Sequence, residues 1–141
     1  MDVKKNIVAY DGSKGSQKAV EWALLLATSS LQSEVTTVTV VKPPEFSPMI
    51  SEIDEFYDNA EQHYQPLLTK IREHGKDHGI VIKTVILRGH PAESITKYAF
   101  DQKADLIVTG TLGLGGFKSL IIGSVAQKVV TYSKVPVLVV K

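Results

Sequence analysis

"TGTLGLGGFKSLIIGSVAQK", residues 109–128, places five glycines between an apolar strand-like run and a helix-like run. Ordered glycine loses more conformational entropy than any other residue. A connection with this many predicts that something lies close against its backbone. Upstream, "DLIVTG" (105–110) reads as a buried strand feeding the loop. Downstream, a helix runs from about Ser124 to Tyr132, and "VPVLVV" (135–140) reads as another strand. Strand, loop, helix and strand in this order make a crossover unit of a parallel sheet.

The rest of the chain repeats that alternation. "NIVAY" (6–10) is a strand leaving through the turn-rich "DGSKGS". "QKAVEWALLLATSS" follows with Ala19, Trp22, Ala23, Leu26 and Ala27 at helical spacing, Trp22 being expected in the core. "EVTTVTVVK" (34–42) is β-branched and strand-like, and the prolines of "PPEFSPM" (43–49) make a loop. From Ser51 to His78 the pattern is helical, with Pro66 placed to kink or split it. "IVIKTVIL" (80–87) is a third strand. "GHPAESITKYAFDQ" (89–102) is a helix that Pro91 and Glu93 start well.

Strand runs that are apolar on both faces predict a parallel sheet covered by helices on each side. The expectation is one α/β domain over residues 1–141, an open, five-stranded, Rossmann-like sheet. Periodicity does not separate the two common strand orders. In the order 3-2-1-4-5 the exits of strands one and four face one crevice, where open α/β sheets bind ligands. Asp11 then confronts Gly110 across it.

Composition narrows the function. The chain has 141 residues, 43% apolar and 22% charged, which suits a folded domain and not a disordered one. No apolar run reaches the roughly 18 residues that span a bilayer, and "MDVKKNIVAYDGS" has no signal-peptide core. Cysteine is absent, which removes disulfides and thiolate metal sites. The expected address is the cytoplasm. A net charge of +1 argues against a general nucleic-acid binder. Residues 1–70 hold six basic and ten acidic side chains, and residues 71–141 ten and five. The acidic "EFSPMISEIDEFYDNAE" (45–61) reads as a solvated face.

The glycine loop has the chemistry of an anion cradle. Gly110, Gly113, Gly115 and Gly116 permit positive φ and lack Cβ atoms, so backbone N–H groups can converge on phosphate oxygens. Ser124 and Gln127 have capping-box spacing, and a helix start beside the loop adds N–H donors and a positive dipole end. Other nucleotide motifs are refused. Gly116 stands where a Walker loop needs lysine, and Lys118 stands where G-x-G-x-x-G needs its third glycine.

Gly110-x2-Gly113-x9-Gly123-Ser124 resembles the G-x2-G-x9-G-[ST] motif of the ATP-binding universal stress proteins. "NIVAYDGSKGSQKAVEWA", "GHPAESI" and "VPVLVVK" resemble their first strand and helix, third helix start and terminal strand. The fold the resemblance implies is the adenine nucleotide alpha hydrolase-like one. Its ligand is ATP, with a divalent ion such as magnesium accompanying the phosphates, although no pair of acids forms an obvious metal site. By that resemblance Asp11 falls near the ribose, Ala9 and Tyr10 lie against the base, and Val40 contacts adenine. Thr109, Gly110, Thr111, Leu112, Gly113, Leu114 and Gly115 wrap ribose and phosphates, and Gly123, Ser124 and Val125 close on the phosphate chain. Ala9 and Leu112 depart from the family's frequent proline and polar or basic residue at those positions.

Each of these residues has a plainer reading. Asp11 can be a turn residue that caps the next helix, and Gly115 and Gly116 can serve only loop mobility. Ser124 is expected as a helix cap, and Lys14 and Lys118 as solvated lysines. Tyr10 suits either a base pocket or the core. His74 and His78 have metal-binding spacing, but Gly75 and Gly79 weaken that helix and no third ligand is evident, so no metal site is expected. No residue set reads as catalytic. An open apolar edge at "VPVLVV" invites pairing with a second copy, a homodimer that the family resemblance also implies, provided Pro136 sits where no ladder donor is needed. Three functions remain: an ATP-binding stress-response regulator, a slow ATPase or phosphate-transferring enzyme on the same site, and a nucleotide-free partner-binding protein.

Overall fold

The computed structural model describes residues 3–45, 49–111 and 123–141. Among them β-branched and apolar runs form strands β1 (Lys5–Ala9), β2 (Glu34–Val41), β3 (Ile82–Arg88), β4 (Leu106–Gly110) and β5 (Val137–Val140). The helices are α1 (Lys14–Thr28), α2 (Ile50–Asp77), α3 (Pro91–Asp101) and α4 (Ser124–Tyr132). The strands pair in parallel in the order β3-β2-β1-β4-β5. This is the expected open sheet, with β1 and β4 adjacent.

Successive strand residues alternate between two apolar layers. On one face Val8 and Val108 pack with Ala23 and Leu24 of α1 and Leu68 and Ile71 of α2. On the other, Ile7, Val38 and Ile107 pack with Ile95 and Ala99 of α3 and Val129 of α4. Ile7, Val8, Ile107 and Val108 are wholly buried. Side chains of this size contribute about 1.5–3 kcal/mol each on burial, so the two central strands anchor the sheet.

Several local expectations are corrected. α1 starts at Lys14 and not at Gln17, because Ser13 caps it and accepts the Ser16 N–H at 3.2 Å. α2 runs unbroken through Pro66. Pro66 and Gln62, the residues on either side of the lost backbone bond, are exposed, so water reaches the unpaired carbonyl. Trp22 is 47% exposed: the register of α1 turns Ala19, Val20, Ala23, Leu24 and Ala27 inward instead. α2 ends at Asp77, close to the expected His78. Gly79, at φ +74°, ends it, with Gly79 N–H donating to Lys76 O and Ile80 N–H to Gly75 O. β5 is an edge strand as expected, and Pro136 lies just outside it, its carbonyl accepting the Ile107 N–H at 2.9 Å.

Candidate functional site at the ends of the central strands

The chain leaving β1 is fixed bond by bond. Tyr10 N–H donates to Val38 O at 3.0 Å, tying the exit to β2. Asp11 Oδ1 accepts the Ser13 N–H at 2.9 Å, and Gly12 turns at φ +86°. This is an Asx turn that delivers the chain into the Ser13 cap. Beyond β4, Thr111 N–H donates to Val140 O at 3.1 Å. Gly123 N–H in turn donates to Thr111 O at 2.5 Å. The two described ends of the glycine stretch thus meet, and they bring the start of α4 beside β4.

α4 begins differently from the expectation. Gly123, extended at φ −70° and ψ 162°, is the N-cap, and there is no side-chain cap. Ser124 is the first helical residue, so Ser124 and Gln127 each fall one place too late for a capping box. Gln127 N–H instead makes the ordinary helical bond to Gly123 O at 3.0 Å. Gly110 is corrected too. It is absent from the positive-φ glycines among the described residues, and the space its missing Cβ leaves is filled by the Gly15 backbone. Close packing of α1 on β4 requires this glycine.

These elements surround a cavity of about 720 Å³, within the usual range for small-molecule sites. Ala9, Tyr10, Asp11, Val40, Thr109, Gly110, Thr111, Gly123, Ser124 and Val125 all line it. The other candidates from the sequence, Leu112, Gly113, Leu114 and Gly115, lie outside the described residues, as do Gly116 and Lys118. Ser13, Ser16, Val38, Val41, Lys42, Pro91, Ile95 and Ala126 also line it, and Phe56, Ala60, His63 and Tyr64 of α2 form one side. The α2 residues recur at helical spacing, a signal that reads equally as core. Only the topology assigns them to the cavity.

The wall divides by chemistry. Ala9, Val38, Val40 and Ile95 make an apolar part suited to a flat ring. Asp11, Ser13, Ser16, Thr111 and Ser124 bring oxygen and N–H groups to the other part. Burial, and then the charge of Asp11, pushes the Tyr10 and Tyr64 hydroxyls above their ordinary range. Tyr10 belongs both to the core and to the cavity wall. Magnesium prefers several oxygen ligands in octahedral array. Asp11 is the one carboxylate on the wall among the described residues, and it already accepts the Ser13 N–H. These residues do not form a magnesium cage. Among the described residues no helix is long and apolar enough to cross a membrane.

Residues 3–141 match the universal stress protein family. Universal stress protein MJ0531 of Methanocaldococcus jannaschii is 34% identical over 140 residues, covering 98% of this chain and 82% of the relative. The solved structure of protein MJ0577 from the same organism superposes with a TM-score of 0.92 at 27% identity, covering 100% of this chain and 97% of that one. A universal stress protein solved in complex with cAMP superposes with a TM-score of 0.73, also at 27% identity, covering 99% and 98%.

Proposed function

The chain belongs to the universal stress protein family, and we propose that it is an adenine-nucleotide-binding regulator whose ligand is ATP. One observation carries this reading. Thr111 and Gly123 are bonded across the base of the glycine stretch, and the start of α4 stands with the β1 exit on one cavity. The purine lies against Ala9, Val38 and Val40, and the ribose reaches Asp11. The phosphates run toward Thr111 and the first turn of α4, whose unpaired N–H groups and positive dipole end suit an anion. Leu112, Gly113, Leu114 and Gly115 complete the phosphate wrap in this reading. The cAMP complex of a relative supports an adenine nucleotide as the ligand class.

Binding, not turnover, is the proposed activity, because Asp11, the one wall carboxylate among the described residues, is engaged by the Ser13 turn. The protein works as a cytoplasmic homodimer joined through the β5 edge, in the cell's response to stress. Occupancy of the cavity alters the surface offered to a partner.

The test is direct. Protein purified without added nucleotide is denatured, and released nucleotide is identified by mass spectrometry. ATP, AMP and cyclic AMP are then titrated by calorimetry. ATP bound and intact after hours is the expected result. ADP in excess over protein would reassign the site to a hydrolase. No heat and no released adenine nucleotide would leave a nucleotide-free partner-binding protein.

A further inference from the structure

Away from the cavity, the C-terminal end of α2 meets the outer side of α1. His74 and His78 stand one helical turn apart, and Glu21 of α1 faces them. One ligand atom from each of the three lies within 4.8 Å of the other two. His74 Nε2 is in direct contact with Glu21 Oε1. His78 Nδ1 lies 3.0 Å from the His74 carbonyl oxygen. A ring nitrogen facing a carbonyl carries the proton, which leaves Nε2 of His78 as a lone-pair donor.

An ion pair alone would account for His74 and Glu21. It does not account for the third group, nor for the way the His78 ring is held. Metal-ligating histidines commonly donate their second ring N–H to a backbone carbonyl, which fixes tautomer and orientation. The sequence showed two histidines and no third ligand; the fold supplies Glu21, 53 residues from His74 along the chain.

We infer that Glu21, His74 and His78 form a zinc site that joins α1 to α2. Two imidazoles and one carboxylate are a donor set zinc takes readily, with a water in the fourth tetrahedral position. Glu21 and His74 need to part from hydrogen-bonding contact to about 3.3 Å, the ligand spacing around an ion with bonds of roughly 2.0–2.1 Å. Their side chains are 57% and 40% exposed, so rotation meets little resistance. Trp22, the single tryptophan of the chain, shares a surface depression with Glu21 and His78 and so reports on the site.

The test uses the full chain, stripped with chelator and titrated with zinc chloride by calorimetry in a non-coordinating buffer. Nickel chloride is added in parallel while Trp22 fluorescence is followed. One zinc per chain is expected, with quenching by nickel and a zinc-dependent rise in melting temperature. His78→Ala and Glu21→Gln should each weaken zinc binding at least about tenfold, whereas His90→Gln should leave it unchanged. The mutated side chains reach solvent, and far-UV circular dichroism checks that each variant is folded. Zinc affinity that survives in a His74→Gln/His78→Gln variant overturns the site. So does half an ion per chain with dimerisation, or the absence of binding to the unmodified protein.

Discussion

Gly110 and Gly15 meet backbone against backbone: a Cβ built on Gly110 would fall 2.6 Å from the Gly15 carbonyl carbon and 2.7 Å from its oxygen. The first turn of α1 is thereby seated directly on the end of β4, and the cavity rim depends on it. Backbone cannot yield as a side-chain tip can. Gly110→Ala should therefore lower stability by about 1–3 kcal/mol, the usual penalty of overpacking a close-packed site. Urea unfolding measures it, and a midpoint equal to that of the parent protein would contradict the contact.

Tyr10 and Tyr64 share an environment that resists ionisation. Burial raises both hydroxyls, Asp11 raises both further, and Tyr64 adds to Tyr10. In the unfolded chain they ionise near their ordinary value of about 10. Between that pH and the raised folded values the native state holds protons that the unfolded state has lost. The stability they confer is thus complete below about pH 10 and declines as pH rises through the folded values. Absorbance titration should show Tyr10 and Tyr64 ionising above that ordinary value. Asp11→Asn should bring both of these down, and Tyr10→Phe should remove one. Two late groups that ignore Asp11→Asn would contradict the shared environment.

Lys103 ends α3 in a left-handed conformation at φ +56°. Its N–H donates to Phe100 O at 3.0 Å, and Ala104 N–H donates to Ala99 O at 2.9 Å, the bonding pattern that usually places glycine at this position. A side chain there costs about 1–2 kcal/mol, part of which glycine gives back through a freer unfolded chain. Lys103→Gly should raise stability by about 0.5–1 kcal/mol, or a few degrees in Tm. Calorimetry checks it; a lower Tm would refute the strain.

Why some of this was legible and some not follows from the range of each interaction. Pro91, Glu93 and the β-branched run 34–42 act locally, so their elements could be placed from neighbours alone. The strand order needed the glycine loop and the DGSKGS turn to share a crevice, and β1 does lie beside β4. The packing reason for Gly110, the Gly15 backbone, is 95 positions away in the chain, so the sequence suggested a positive φ there that the fold does not use. Trp22 faces outward because three alanines, a valine and a leucine on α1 already fill the space against the sheet. Glu21 had no reason to be grouped with His74 until α1 and α2 were laid on the same face.

Gly123 separates the stability of α4 from the proposed phosphate grip. Its φ of −70° and ψ of 162° suit any residue, and it caps α4 without a side chain. Asp at an N-cap accepts a helix N–H and complements the dipole, gaining a few tenths of a kcal/mol over glycine. The same carboxylate would stand on the cavity wall where the proposal puts phosphate. Its negative charge repels that group and occupies the N–H donors meant for it. Gly123→Asp should therefore raise Tm slightly while weakening ATP at least about tenfold, equivalent to 1.4 kcal/mol. Adenosine, which has no phosphate, should bind the variant and the parent alike. The opposed signs matter, because a merely damaged fold would lower both Tm and affinity. If ATP and adenosine lose affinity equally, the phosphates do not lie at the start of α4.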